Sequence, residues 1–135
     1  MIPSVAQYIS WGVTSDDRCI PISPVTGQII NAHDRQHWTT PDKCNDHKAF
    51  VFNGVRYFFV DIDDCLVDGK WSPLALSILA MFPGAYMEVS RSGTGLHIIG
   101  TARTIPAHLC KNAALHIELY TDKRFCALTG THAQG

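Results

Sequence analysis

The stretch Tyr57–Gly69, YFFVDIDDCLVDG, runs from an apolar segment straight into Asp61, Asp63 and Asp64. Three carboxylates this close repel one another, and an unpaired one is costly to bury. A divalent cation is the first candidate counter-charge, because it offsets the repulsion and keeps the acids ionised. Strand alternation puts Asp61 and Asp63 on one face and Val60 and Ile62 on the other, so the two acids are presented together. The plain alternative is a turn whose Asp side chains bond backbone amides, which is how Asp64 and Asp68 read.

Two further clusters carry chemistry. SRSGTGLH (90–97) holds two glycines and three hydroxyls ahead of an apolar strand, a composition suited to an anion-binding nest. It is not a Walker loop, since no Gly-Lys-Ser/Thr follows and it opens a strand instead of a helix. Its simpler reading is a flexible hairpin loop. His97 follows the glycines closely enough to reach the same anion. In IELY, Glu118 lies between Ile117 and Leu119, and a glutamate in an apolar strand needs a partner. That partner is Lys123 or Arg124 in a salt bridge, or a metal to which Glu118 is a third ligand. Two carboxylates two residues apart, a third on another strand and a phosphate-cradling loop with a histidine are the parts of two-metal nucleotidyl transfer. Mg²⁺ or Mn²⁺ suits them, because such ions take few carboxylates and fill the remaining positions with phosphates and water.

The elements that must position these residues read as an α+β domain. QYISWGV (7–13) suits a strand, and CIPISPVTGQ is too rich in proline and glycine for a long regular element. Thr40 and Pro41 predict a short helix over 41–48. AFVF and VRYFFVDID flank Asn53-Gly54, which predicts a β-hairpin over 49–63. WSPLALSILAMF predicts a largely buried helix ending before Pro83-Gly84. AYMEVS (85–90) and GLHIIGT (95–101) predict two strands joined by the SRSGTG loop. HIELY (116–120) and RFCALTG (124–130) predict a further pair across Thr121-Asp122-Lys123.

At 135 residues the length fits one domain. A net charge of −1 gives no bulk attraction to nucleic acid, so any such contact needs a local basic patch. Five widely spaced cysteines without a CxxC pair point to reduced thiols in the cytoplasm. Cys44 and His47 could be half of a zinc site, but no second pair has ligand spacing. No window approaches the apolar length that spans a bilayer and the N-terminus lacks a signal pattern, so a soluble, cytoplasmic protein without membrane partners is expected.

VDID, SRSGTGLHIIG and IELYTDKRFCALTG together resemble, in order and spacing, the three signature motifs of the archaeo-eukaryotic primase superfamily. More narrowly, they resemble the primase-polymerase domains of phage and plasmid replication proteins, and the likeness extends upstream through CIPISPVTGQ, QHWTT and AFVF. The resemblance implies an RNA-recognition-motif-like antiparallel or mixed sheet backed by helices (roughly 51–135) beside a small N-terminal α/β unit (roughly 1–50). It implies a DNA primase/polymerase with Asp61, Asp63 and Glu118 as catalytic metal ligands for Mg²⁺ or Mn²⁺. Ser90, Arg91, Ser92, Gly93, Gly95 and His97 would bind the nucleotide, with Arg124 on the triphosphate or the template. The implied partners are a dNTP or NTP, a single-stranded DNA template with its primer, and a helicase domain or protein. Members of the superfamily usually continue into further helices, whereas this sequence stops just after LTG, as an excised core or a reduced relative would.

Two rivals stand beside this expectation. DIDDCL loosely resembles the start of haloacid-dehalogenase-type phosphatases, in which the first Asp is a nucleophile, but the later acidic pair and the βαβ order are missing. A non-catalytic nucleotide- or single-stranded-DNA-binding module is the second, with Trp11, Trp38 and Tyr120 available either to stack bases or to fill the core.

Overall fold

A computed structural model describes residues 1–135. In chain order the strands are β1 (Tyr8–Val13), β2 (Cys19–Ile22), β3 (Lys48–Asn53), β4 (Tyr57–Ile62), β5 (Leu66–Val67) and β6 (Lys70–Trp71). After helix α1 (Pro73–Met81) come β7 (Tyr86–Val89), β8 (Leu96–Thr101), β9 (Lys111–Asn112), β10 (Ile117–Tyr120) and β11 (Asp122–Ala127). The fold is α+β, mostly antiparallel sheet with a single α-helix where several were expected. One sheet has the order β11-β3-β1-β2, the other β7-β8-β4-β10-β9, and β5 and β6 form a small separate ribbon. The N-terminal strands thus share their sheet with β11 from near the C-terminus.

Strand alternation sorts the apolar residues into three clusters. Tyr8, Phe50, Phe52, Tyr57, Phe59, Tyr86, Ile99 and Tyr120 meet between the two sheets, with Phe52 stacked on Phe59 at 5.6 Å between ring centroids. Val60, Ile62, Met87, Leu96 and Ile98 point the other way, onto α1. Ile9, Trp11, Ala49 and Val51 fill the far side of the first sheet.

The expected hairpin over 49–63 is not formed, because β3 and β4 lie in different sheets. Asn53 Oδ1 accepts the Val55 N–H at 3.1 Å, Gly54 (φ 84°) donates to the Thr121 carbonyl at 2.7 Å, and Arg56 also has positive φ. The chain therefore turns a corner instead of folding back. The junction of β10 with β11 turns the same corner, so those strands do not pair with each other either: β10 pairs with β4 and β11 with β3. Flat hairpins would leave one face of the aromatic strands wet, whereas the two-sheet arrangement buries it. Asp68-Gly69, with both φ values positive, makes the tight two-residue hairpin between β5 and β6 that such dipeptides favour.

The helix expected over 41–48 is reduced to a 3-10 turn, Pro41–Lys43. Asn45 Oδ1 accepts the His47 N–H at 2.8 Å, a side-chain turn that competes with helix continuation. Helix α1 has Ser72 as N-cap, its hydroxyl accepting the Ala75 N–H at 3.1 Å, and Pro73 in the first turn. Only Ala75 is fully buried, against the expectation of a largely buried helix; Leu76 and Met81 are more than half exposed. α1 covers the second sheet on one side and nothing covers its outer side.

Candidate functional site

Sheet register does what sequence spacing could not. Glu88 stands opposite His97, His97 opposite Asp61, Asp61 opposite Glu118, and Glu118 opposite Lys111. Opposed residues of neighbouring strands share a face, so the second sheet presents one ionisable row, Glu88-His97-Asp61-Glu118-Lys111. The row lies on the face turned towards the first sheet, in line with Phe59 and Tyr120.

A cleft of about 500 Å³ opens over the middle of this row, at His97 and Asp61, with Phe59, Asp63 and Ser90 on the same wall and β11 on another. Arg91, Lys123 and Arg124 also line it, giving a local positive rim on a chain of net charge −1. Arg91 is tied across to the β1–β2 turn, its guanidinium 2.9 Å from Asp17 Oδ1 and 2.9 Å from the Asp17 carbonyl. The Arg124 guanidinium lies 4.3 Å from the centre of the Tyr120 ring, with Nη2 3.8 Å from Glu118 Oε2.

Asp61 is held largely out of water. Its Oδ1 is buried without a hydrogen-bond partner, and the nearest cationic atom is His97 Nε2 at 3.8 Å. Burial pushes its carboxyl up to about 6; His97 and Arg124 oppose this, and the charges of Asp63 and Glu118 reinforce it. A buried, orphaned carboxylate oxygen among like charges suits a hard cation. Asp63 is exposed at the cleft rim, its backbone N–H bonded to the His116 carbonyl at 3.0 Å. Glu118 faces an adjoining depression of about 160 Å³ that Asp63 also lines, and its Oε2 accepts the Tyr120 hydroxyl at 2.7 Å. No three His, Cys, Asp or Glu side chains close into a metal cage. Asp61 and Asp63 fit the looser Mg²⁺ mode, in which one or two carboxylates and the substrate's phosphates share the ion.

The 90–95 loop is braced from within. Ser90 Oγ accepts the Gly95 N–H at 3.0 Å and sits 3.0 Å from Ser92 Oγ, which lies 3.1 Å from Thr94 Oγ1. The Thr94 carbonyl accepts the N–H groups of Cys65 and Leu66 at 2.8 and 2.9 Å, so this loop and the aspartate turn are one bonded unit. A Cβ on Gly95 would stand 2.6 Å from Ser90 Oγ and 3.0 Å from the Ile62 carbonyl, which is why glycine is needed there. Ser90, Arg91, Ser92 and His97 reach the cleft, while Gly93 and Gly95 shape the loop behind them.

Glu88 was missed by sequence reasoning. It is fully buried, and its carboxylate accepts from the Tyr86 hydroxyl at 2.6 Å and the Thr129 and Gly130 amides at 2.9 and 3.2 Å. His97 Nδ1 is 2.9 Å away. Burial pushes the Glu88 carboxyl up, but these donors, led by His97, outweigh it and hold the group below its ordinary value. For His97, burial favours the neutral ring, and Cys126, Glu88 and Asp61 reverse that and hold it well above the usual histidine value. Register across the 85–101 strand pair was the available signal, since it alone sets Glu88 opposite His97. Cys126, 3.6 Å from His97 Nδ1, was missed as well.

The aromatic candidates for base stacking divide. Trp11 and Tyr120 are buried, and Trp11 Nε1 donates to the Leu128 carbonyl at 3.2 Å, so both are core residues. Trp38 is half-buried, its Nε1 bonded to the Ala32 carbonyl at 2.8 Å. No helix is long and apolar enough to cross a membrane. Neither family models nor curated proteins yield a match to the chain.

Proposed function

We propose that the chain is a template-directed nucleotidyltransferase of the archaeo-eukaryotic primase type, adding dNTP or NTP units to a primer 3′-hydroxyl opposite single-stranded DNA. The observation that carries this reading is the row Glu88-His97-Asp61-Glu118, of which His97 and Asp61 open into a cation-rimmed cleft and Asp61 carries an orphaned oxygen. The strand order supports it as well. β4, α1, β7, β8 and β10 follow in sequence and stand in the sheet as β7-β8-β4-β10, the split β-α-β arrangement of an RNA-recognition-motif-like sheet, here with no helix between β8 and β10.

Asp61 and Asp63 would hold Mg²⁺ or Mn²⁺, and Glu118 would approach from the adjoining depression. The chemistry such ions would supply there is a lowered pKa for the primer hydroxyl and neutralisation of charge on the pyrophosphate leaving group. Arg91, Lys123 and Arg124 offset the triphosphate's negative charge as it enters. His97 would donate from Nε2–H to a phosphate oxygen, and the braced 90–95 loop keeps the hydroxyl groups and Arg91 in place without reorganisation. Phe59, beside Asp61 in the cleft wall, packs against the His97 ring.

A non-catalytic nucleotide-binding module is the second reading, favoured by the separation of Glu118 from the main cleft and its engagement with Tyr120 and Arg124. The phosphatase reading loses ground, because its Asp nucleophile belongs at the end of a parallel strand and β4 pairs antiparallel on both sides.

Calorimetry with dNTPs and NTPs, in Mn²⁺ and in EDTA, separates these readings when paired with primer extension. Metal-dependent binding lost in Asp61→Ala/Asp63→Ala, together with extension abolished in a folded Asp63→Ala protein, is the expected result. Extension retained by Asp63→Ala would exclude the assignment, and binding without extension in the unaltered chain would favour the module.

A further inference from the structure

We infer that Glu88 is a positioning residue for the nucleotide's phosphates, acting through His97; this role rests on the nucleotidyl-transfer reading of the cleft. A fully buried carboxylate is an expensive way to join two strands, and an apolar side chain would do that alone at lower cost. The cost is offset by a complete set of donors. The Tyr86 hydroxyl and the Thr129 and Gly130 amides can only donate to an ionised carboxylate, and the carboxylate has no proton to give back.

The consequence falls on His97. Its Nδ1, 2.9 Å from Glu88 Oε2, must carry a proton, because the atom opposite it is an acceptor. That fixes which edge of the ring faces the core. Nε2 then points to the Asp61 side of the cleft, 3.8 Å from Asp61 Oδ1. The Phe59 ring meets the imidazole edge-on at 5.2 Å, and Cys126 Sγ packs beside the same Nδ1 at 3.6 Å, so the Nδ1 edge is held within the core. An anchored carboxylate behind a phosphate-facing imidazole is what keeps one edge of that ring pre-aimed.

The test is a double-mutant cycle on dNTP affinity in Mn²⁺, with Glu88→Gln, His97→Gln and the double variant. Glu88→Gln puts an amide NH₂ among four donors and releases the ring, so affinity should fall about 10- to 100-fold. In the His97→Gln background the same change should cost little more, because the residue it acts through is already gone. Equal losses in both backgrounds would mean that Glu88 only maintains the fold, and the proposal would fall. Long-range ¹H–¹⁵N spectra of the unaltered protein give a readout that needs no folded variant. The His97 Nδ1 signal should be protonated, and dNTP should perturb Nε2 while leaving Nδ1–H in place. An unprotonated Nδ1, or an Nε2 signal indifferent to bound dNTP, overturns the role. Failure of the unaltered chain to bind dNTP at all, with Nδ1–H intact, would remove the nucleotidyl-transfer reading and this role with it.

Discussion

Asp61 has a carboxyl pushed up from 3.8 to about 6, chiefly by burial. A raised folded-state value means that the folded protein holds the proton more tightly than the unfolded chain. The contribution of Asp61 to stability is therefore greatest below about pH 4 and declines as pH rises to about 6. Asp61→Asn should stabilise the metal-free protein at pH 7 by as much as about 3 kcal/mol, with the advantage vanishing near pH 4; urea titrations of both proteins across that range read the difference directly. Glu88 works with the opposite sign. Its carboxyl is lowered from 4.5, so its contribution is present above that value and is lost as pH falls through the folded value. At this scale spacing in the sequence brought Asp61, Asp63 and His97 to attention, and all three line one cleft, with Asp63 just past the end of β4. It named no role for Glu88, although a glutamate between Met87 and Val89 carries the same signal as Glu118: a charged group in an apolar strand needs a partner, and that partner is set by cross-strand register.

Short-range signals succeeded for elements whose partners are also close in the chain. β7 and β8 with their braced loop follow from the alternation on either side of SRSGTG, and Gly95→Ala tests that loop. The added Cβ would collide with Ser90 Oγ and the Ile62 carbonyl, so a loss of about 1–3 kcal/mol is expected in thermal or urea unfolding, together with weaker dNTP binding. Helix α1 was legible from its apolar run and the Pro83-Gly84 stop; the structure adds the Ser72 cap, and Ser72→Ala should cost about 1 kcal/mol by urea denaturation without changing dNTP affinity. Asn53-Gly54 misled because the dipeptide specifies a bend and not what the bend joins. Here Gly54 bonds to Thr121, a residue far along the chain, and the hairpin gives way to a corner between sheets.

Across the whole molecule, the last residues close the site from behind. The Thr129 and Gly130 amides supply two donors to buried Glu88, and Gln134 pairs through its backbone with Met87 at the edge of β7. Truncation after Leu128 should leave a buried carboxylate short of partners and lower stability by at least about 3 kcal/mol. The loss should show as a reduced urea midpoint and as weaker dNTP binding. The sequence by itself determined the α+β class, the paired presentation of Asp61 and Asp63, the loop before His97 and the position of α1, because each depends on residues within a few positions of one another. Only the tertiary structure decided that β3 and β4 part company, that β11 returns to the N-terminal strands, and that Glu88, His97, Asp61 and Glu118 share one row. Apart from the Glu88–His97 pairing within one strand pair, those outcomes depend on burying aromatic faces between two sheets and on register between strands distant in the chain. Neither is encoded in any short window of residues.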